Sequence, residues 1–271
     1  MIHILMSTYN GERYLQEQLD SILAQTYSDW LLFVRDDGST DATLPLLHNY
    51  ADKYPEKICV TNDGENIGAC KSFERLLQLH GNAEYVAFAD QDDVWLPDKI
   101  EICMQTMKQA EKKYNNLPIV VHTDLEVVDQ HLNQISRSFW EYSNIRPRLL
   151  NDNMHYLAIC NSVTGCTALI NRNACLCSLP FSENSYMHDA WIALQTKYNN
   201  GIIIPVSQPT IRYRQHSRNA LGAIHYQFTL GNWQWKYKLA KRAYKQAHPH
   251  IFNNTFQFLF WKIRYFLALH S

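Results

Sequence analysis

Acidic residues follow two apolar runs of the chain at the point where each run ends. The run 30–34 leads into the sequence D-D-G-S-T-D at 36–41, and the run 84–89 leads into D-Q-D-D at 90–93. Carboxylates that are gathered in one place repel one another unless a cation or a hydrogen-bonding ligand joins them. The two clusters therefore predict a site for a cation or a polar ligand, provided that the fold brings them together.

The second cluster has a spacing that suits a hard metal ion. Asp90 and Asp92 flank Gln91 in a D-x-D arrangement directly after an apolar run. Mg²⁺ and Mn²⁺ take oxygen ligands and keep positions open for substrate phosphates, so one or two carboxylates suffice. The alternative is a solvated loop, and for D-D-G-S-T-D it is an ordinary turn with a helix N-cap.

Two later segments carry further candidate groups. His188 and Asp189 stand at the start of a predicted helix, and Asp189 is the last acidic residue of the chain. Its carboxylate is a candidate general base, and the alternative is a first-turn charge that stabilises the helix dipole. Residues 212–219 place His216 among three arginines. Such a set can surround a diphosphate or form a basic surface strand.

The elements that must position these groups follow from hydrophobic periodicity. Short apolar runs alternate with segments of helical spacing through residue 122, which predicts an α/β fold with a mostly parallel sheet flanked by helices. Further on, the pattern predicts strand-like structure over 157–170, a helix over 186–198, and strands over 202–206 and 209–214. Ligands of such sheets bind outside the carboxyl ends of the strands, where the acidic clusters lie.

Charge is distributed unevenly along the chain. Residues 1–189 contain all 26 acidic residues and 14 Lys/Arg, whereas residues 190–271 contain 11 Lys/Arg and no acidic residue. This asymmetry predicts an anionic partner for the second part, such as phospholipid, nucleotide phosphate or nucleic acid. Seven scattered cysteines without a C-x-x-C pair, and a start without a cationic n-region, predict a cytoplasmic protein that lacks a signal peptide.

The segment 226–271 is rich in aromatic residues interleaved with Lys and Arg, among them Trp233, Trp235 and Arg264. Its apolar stretch 256–269 is too short, and too interrupted by charges, to span a bilayer. A basic aromatic helix of this kind is typical of a segment that lies on an anionic membrane surface. The alternative is a helix pair that packs on the rest of the chain or on another subunit.

The motifs, in this order, resemble those of the inverting glycosyltransferases of family 2, which have the GT-A fold. They are S-T-Y-N-G at 7–11, D-D-G-S-T-D at 36–41, D-Q-D-D-V-W at 90–95 and G-C-T at 165–167. The resemblance covers residues 1–222. D-Q-D-D-V-W, H-D-A-W and Y-R-Q-H further resemble the rhamnosyltransferase-like members, which use dTDP-β-L-rhamnose.

The extent of the resemblance and the composition of the tail together predict a division of the chain into two parts. A GT-A catalytic domain would cover 1–225, with a nucleotide-binding half at 1–122 and an acceptor half at 123–225. The helical, basic-aromatic tail at 226–271 would then associate with the membrane.

The resemblance also implies a role for each matching residue. Donor binding would involve Thr8, Tyr9, Asn10, Asp37, Asp90, Gln91 and Arg214, with Asp37 accepting the ring N–H of uracil or thymine. A divalent cation, Mn²⁺ or Mg²⁺, would be held by Asp92 and His216. Asp189 would be the catalytic base. The acceptor side would comprise Gly165, Cys166, His188 and Trp191.

These roles imply a metal-dependent, inverting transfer of a sugar from a nucleoside diphosphate, with dTDP-L-rhamnose favoured over a UDP-sugar. The acceptor would be a hydroxyl of a glycan or lipid-linked glycan in cell-surface polysaccharide synthesis, at the cytoplasmic face of the membrane and without nucleic acid as partner. Alternatives are a sugar-1-phosphate nucleotidyltransferase, an inactive sugar-nucleotide binder, and a non-catalytic protein whose basic tail binds nucleic acid or membrane. A nucleotidyltransferase would need a glycine-rich basic loop after the first strand. In that region, residues 7–13 contain a single glycine, Gly11.

Overall fold

The computed structural model describes residues 1–216, 223, 233–247 and 251–270, with side chains for all of these except 233–236 and 270. The strands are β1 (Ile2–Thr8), β2 (Trp30–Asp36), β3 (Ile58–Asn62), β4 (Tyr85–Ala89), β5 (Val94–Trp95), β6 (Ile119–Val128), β7 (Gln134–Ser136), β8 (Leu169–Asn171) and β9 (Ile202–Arg214). The helices are α1 (Glu12–Leu23), α2 (Thr43–Lys53), α3 (Ala69–His80), α4 (Lys99–Lys113), α5 (Phe139–Tyr142), α6 (Pro147–Asp152), α7 (Met154–Ile159), α8 (Arg172–Ser178), α9 (His188–Tyr198), α10 (Trp233–Ala247) and α11 (Thr255–His270), and a 3-10 turn covers Gly165–Thr167.

The nine strands of the described chain form one mixed sheet in the order β3-β2-β1-β4-β8-β6-β9-β5, with β7 paired to β6. The four strands β3, β2, β1 and β4 are parallel, so β1, β2 and β4 end at one edge. The short strand β8 runs antiparallel to both β4 and β6, whereas β6 and β9 are parallel. The predicted α/β fold class is confirmed: the long pairings β1–β2, β2–β3, β1–β4 and β6–β9 are parallel, whereas the short strands β5, β7 and β8 add antiparallel pairings.

Helices cover both faces of the sheet, which explains why its central strands are apolar at nearly every position. In β1, Ile4 and Met6 belong to a core that includes Leu15 of α1, whereas Leu5 belongs to a second core that includes Phe73 of α3. Successive side chains of a strand point to opposite faces, so a strand between two helical layers needs apolar residues on both.

The structure differs from two local predictions. Of the segment 157–170, only Leu169–Asn171 is a strand, and Met154–Ile159 is a helix whose N-cap Asn153 accepts hydrogen bonds from the backbone N–H groups of His155 and Tyr156. Short apolar runs do not distinguish a buried helix turn from a buried strand. The strands predicted at 202–206 and 209–214 are one strand, β9, with an irregular register near Val206 and Pro209.

The predicted helical tail is confirmed as α10 and α11, which pack against α7. The Trp261 ring stacks on the His155 ring with centroids 4.1 Å apart, and Phe252 and Phe258 are buried in the second core. No helix in the described ranges is both long and apolar enough to cross a bilayer. The predicted boundary between residues 225 and 226, Arg218 and the side chains of Trp233 and Trp235 lie outside the described residues.

Candidate active site

A cavity of about 300 Å³ opens at the edge where β1, β2 and β4 end. Its walls include Thr8, Tyr9, Asp37, Asp90, Gln91, Asp92, Gly165, His188 and Asp189, which are predicted site residues from five separate parts of the sequence. Parallel strands bring the first six together because their carboxyl ends share an edge. The last three arrive from the 3-10 turn and from the N-terminus of α9.

Asp189 is a partly buried carboxylate in the wall of this cavity. Its Oδ2 accepts a hydrogen bond from the backbone N–H of Gly165 at 3.0 Å, and its Oδ1 accepts one from the backbone N–H of Ala190 at 2.6 Å. Burial raises the pKa of Asp189 to about 6, although these backbone donors act in the opposite direction. A fixed carboxylate with this pKa is ionised at neutral pH and is more basic than an exposed one, as a general base requires.

Asp90 is a cavity residue whose carboxyl is affected by the charges of both Asp92 and Asp189. Burial, and then the charges of Asp92 and Asp189, raise the pKa of Asp90 to about 7. Burial is the larger cause of the raised pKa, and the charges of the two neighbouring carboxylates add to it. A divalent cation in the cavity would relieve this repulsion.

Asp92 and His216 form the pair that the sequence predicts as metal ligands. His216 Nε2 lies 2.9 Å from Asp92 Oδ2, and both side chains are largely buried. Two neighbouring ligand atoms on an octahedral ion with bonds of about 2.1 Å are separated by about 3.0 Å. The separation of the two atoms is therefore compatible with joint ligation of Mn²⁺ or Mg²⁺, in which the ion would replace the hydrogen bond between them.

A second group of possible ligands lies deeper, where Asp90, Asp93 and Cys166 bring their ligand atoms within 4.8 Å of one another. Cys166 and Asp93 are fully buried, and burial raises the pKa of both groups. A protonated thiol is a poor ligand for a hard cation. We therefore assign the cation to Asp92 and His216 and not to this inner group.

Asp37 also borders this cavity and organises the neighbouring loop. Its Oδ1 accepts hydrogen bonds from Arg35 and from the backbone N–H of Ile67, and its Oδ2 accepts one from the backbone N–H of Gly68 at 2.9 Å. Among the described residues, Oδ2 thus retains capacity for another donor, such as the ring N–H of a pyrimidine.

Tyr9, Gln91 and Asp92 border both this cavity and a second one of about 790 Å³. The Gln91 amide donates to the backbone carbonyl of Tyr9 at 3.0 Å and accepts from its N–H at 2.9 Å. Asn10, in the left-handed region with φ 47°, accepts from the backbone N–H of Thr40. Gln91 therefore fixes the loop after β1, and Asn10 borders only the second cavity, together with His216.

Comparison with known proteins decides the family. The family model described as glycosyl transferase family 2 matches residues 3–175, which is more than half of the chain. The chain belongs to glycosyl transferase family 2. It is therefore a glycosyltransferase, and the resemblance inferred from its motifs is confirmed.

Two curated relatives are similar over different lengths. The dTDP-rhamnosyl transferase RfbG of Shigella flexneri is 27% identical over 231 residues, which are 80% of this chain and 74% of RfbG. The putative glycosyltransferase EpsE of Bacillus subtilis is 36% identical over 100 residues, which are 37% of this chain and 36% of EpsE. The matched region thus covers only about a third of the length of EpsE.

Two solved structures share the fold. S. aureus TarS 1-349 in complex with UDP-GlcNAc matches with a TM-score of 0.63 and 17% identity, over 89% of this chain and 65% of that chain. The mannosyltransferase PcManGT from Pyrobaculum calidifontis, in complex with GDP-Man and Mn²⁺, matches with a TM-score of 0.64 and 17% identity, over 99% of this chain and 70% of that chain. The fold of the glycosyltransferase is therefore GT-A.

Three predicted site residues of the glycosyltransferase line neither cavity: Cys166, Arg214 and Trp191. Arg214 is buried, and its guanidinium donates to the backbone carbonyls of Asp92 at 2.8 Å and Gln130 at 3.0 Å while pairing with Glu17. The guanidinium thus supports the backbone of the D-Q-D-D segment, and its contact with the donor stays a prediction. Trp191 donates to the backbone carbonyl of Ser178 at 2.7 Å and belongs to the second core, so it anchors α9, and its place on the acceptor side stays a prediction.

His188 is a buried wall residue whose ring stacks on the Phe73 ring with centroids 3.9 Å apart. Burial lowers the pKa of His188 to about 3, so the ring is neutral. A Cβ on Gly165 would lie 2.5 Å from His188 Nε2. The 3-10 turn can therefore approach Asp189 only because residue 165 is glycine.

Sequence reasoning assigned no site role to eight wall residues: Ser7, Asn66, Gly68, Ala69, Phe73, Thr164, Met187 and Tyr213. Asn66 and Gly68 stand between β3 and α3, and Gly68 has φ +82°. A glycine between a parallel strand and the following helix is the signal that could have identified this wall, because loops at that position border the ligand crevice. Phe73 carries no such signal, since its spacing is that of an ordinary core residue of α3.

Proposed function

We propose that the glycosyltransferase transfers a sugar from a nucleoside diphosphate to an acceptor hydroxyl with inversion at the anomeric carbon. The observation that carries the proposal is that Asp189 borders the same cavity as Asp37, Asp90 and Asp92. A nucleotide held at Asp37, with its diphosphate near Asp92, would direct the sugar toward Asp189.

Asp189 would act as the general base of a single displacement. Its carboxylate takes the proton of the acceptor hydroxyl while that oxygen forms a bond to the anomeric carbon. The bond from this carbon to the diphosphate oxygen breaks, and the nucleoside diphosphate leaves on the opposite face. Proton transfer by a positioned base contributes about 10²–10⁴-fold to such a rate.

Asp92 and His216 would hold the divalent cation, and Asp90 would adjoin it. When bound, a cation of this kind supplies charge neutralisation for the leaving diphosphate. The fit rests on the 2.9 Å separation of the two candidate ligand atoms and on the repulsion that raises the pKa of Asp90. We take Mn²⁺ or Mg²⁺ as the ion because the carboxylates are hard oxygen ligands.

The donor that we favour is dTDP-L-rhamnose, with a UDP-sugar next. The similarity to RfbG extends over 80% of this chain, and Asp37 can accept the ring N–H that thymine and uracil share. The acceptor would be a hydroxyl of a glycan or lipid-linked glycan in cell-surface polysaccharide synthesis. An acceptor attached to a membrane lipid is confined to the membrane surface, and we place the reaction at its cytoplasmic face.

A thermal-shift panel tests the donor assignment directly. Purified protein is heated with dTDP-rhamnose, UDP-glucose or GDP-mannose, each with and without Mn²⁺. A ligand at about 100 times its Kd stabilises the folded state by about 2.7 kcal/mol, which corresponds to about 5–10 °C for a chain of this size. A shift with GDP-mannose alone would exclude the pyrimidine assignment. The inverting course is tested by NMR determination of the anomeric configuration of the product.

A further inference from the structure

Helix α11 presents a continuous apolar face to solvent. Its six large apolar residues with at least 45% exposure are Phe256, Leu259, Phe260, Ile263, Phe266 and Leu267. At about 100° per residue these positions fall within an arc of about 120° of the helix. We call these six residues the apolar stripe.

The opposite face of α11 is anchored to the rest of the chain. Phe258 and Leu269 are buried, and the Trp261 ring stacks on the His155 ring of α7. The stripe is therefore not a face that the described part of the same chain covers. Soluble proteins rarely expose such a contiguous apolar strip unless it serves an interaction.

Basic residues border the stripe on both sides. By the same helical spacing, Lys262 lies beyond one edge of the stripe and Arg264 lies beyond the other. Helix α10 adds four exposed basic residues on one of its faces: Lys238, Lys241, Arg242 and Lys245. Aromatic and aliphatic side chains bordered by Lys and Arg are the pattern of helices that lie in a membrane interface, since the long basic side chains reach the headgroups.

We propose that the apolar stripe of α11 lies in the interface of an anionic phospholipid membrane, parallel to its surface, with the flanking basic side chains on the headgroups. Charge favours this occupant over a second copy of the chain. An isologous dimer through α11 would bring the basic borders of both copies together, and residues 190–271 contain no acidic residue to offset them. Anionic lipid neutralises the same charges.

The proposal is independent of the sugar-transfer reaction and is tested without donor or acceptor. Full-length protein is floated with vesicles of phosphatidylcholine alone and of phosphatidylcholine mixed with phosphatidylglycerol. We expect binding to the mixed vesicles, weaker binding to the neutral ones, and a loss of binding as salt is added. Since no sugar nucleotide is present, failure here leaves the proposed transfer reaction unaffected.

A matched pair of variants assigns the binding to the stripe. One variant carries Phe256→Ser, Ile263→Ser and Leu267→Ser. The control carries Leu79→Ser, Ile135→Ser and Leu176→Ser, which remove three comparably exposed apolar side chains from α3, β7 and α8. We expect the stripe variant to bind mixed vesicles at least about tenfold more weakly than wild type, because three apolar side chains leave the interface, and the control to bind normally.

Three outcomes would overturn the proposal. One is a wild-type protein that does not float with either vesicle. Another is equal binding by the stripe variant and the control. The third is a wild-type dimer in light scattering that becomes monomeric only in the stripe variant, without vesicle binding, which would assign the stripe to a second copy.

Discussion

The backbone N–H of Gly165 donates a hydrogen bond to Asp189 Oδ2 at 3.0 Å. The two residues belong to different elements, the 3-10 turn before β8 and the first turn of α9. This contact fixes the carboxylate that we propose as the base, and it requires a residue without a Cβ beside the buried ring of His188.

Gly165→Ala should reduce transfer by about 10²-fold, since the new Cβ would displace His188 or Asp189 and misplace the base. The affinity for nucleoside diphosphate should remain near the wild-type value because Asp37 and Asp92 are unaffected. Steady-state kinetics and calorimetry measure the two effects. The double variant Gly165→Ala with His188→Ala provides space for the Cβ and should recover part of kcat. A single variant with wild-type kcat would contradict this account of the turn.

Asp189→Asn should lower kcat by about 10²–10⁴-fold while leaving nucleotide binding unchanged. The amide oxygen can accept from the backbone N–H of Gly165 or of Ala190 but not from both, so the change costs one hydrogen bond and the fold is expected to persist. Single-turnover assays together with calorimetry on the same preparation separate the two effects. Turnover close to wild type would remove Asp189 from the role of base.

The pH dependence of kcat/KM should show an acidic limb with a midpoint near pH 6. Burial raises the pKa of Asp189 to about 6, so the carboxyl is protonated, and inactive as a base, below that pH. Activity should therefore rise as pH increases through 6 and then level off. The residual activity of Asp189→Asn should lack this limb. A limb of unchanged position in that variant would assign the titration to another group.

Asp92→Asn should weaken Mn²⁺-dependent nucleotide binding by at least about tenfold, because the change removes a ligand charge from the site. Binding measured without Mn²⁺ should differ little from wild type. Asp52→Asn, which neutralises an exposed carboxylate on α2, is the matched control. Calorimetric titrations with and without Mn²⁺ give the comparison, and an equal loss under both conditions would indicate that Asp92 acts without metal.

Arg214→Lys should raise the Mn²⁺ concentration needed for half-maximal activity by about tenfold, since the guanidinium that holds the Asp92 backbone is lost. Loss of a buried hydrogen bond to a charged group should also lower the free energy of unfolding by about 1.5–3 kcal/mol. Arg212→Lys is the control on the same strand, where an exposed ion pair with Glu126 contributes about 1 kcal/mol or less. Lower stability with an unchanged Mn²⁺ requirement would show a purely structural role for Arg214.

The acidic residues at the strand ends of the cavity were predictable from local patterns. Asp37, Asp90 and Asp92 follow apolar strands, and parallel strands deliver their carboxyl ends to one edge whatever the remaining fold is. The position of Arg214 was not predictable, because a basic residue next to His216 has the same sequence pattern whether it faces a diphosphate or the interior. Only the packing of β9 against the D-Q-D-D segment decides between them.

By itself, the sequence determined the family, the α/β class and the acidic groups, because these depend on residue order and short-range periodicity. Tertiary structure decided which groups meet. It brought Asp189 to the cavity through the turn at Gly165, directed the Arg214 side chain to the back of Asp92, and left one side of α11 exposed. Such relationships join residues that are far apart in the chain, and no local pattern encodes the contacts that long-range packing creates.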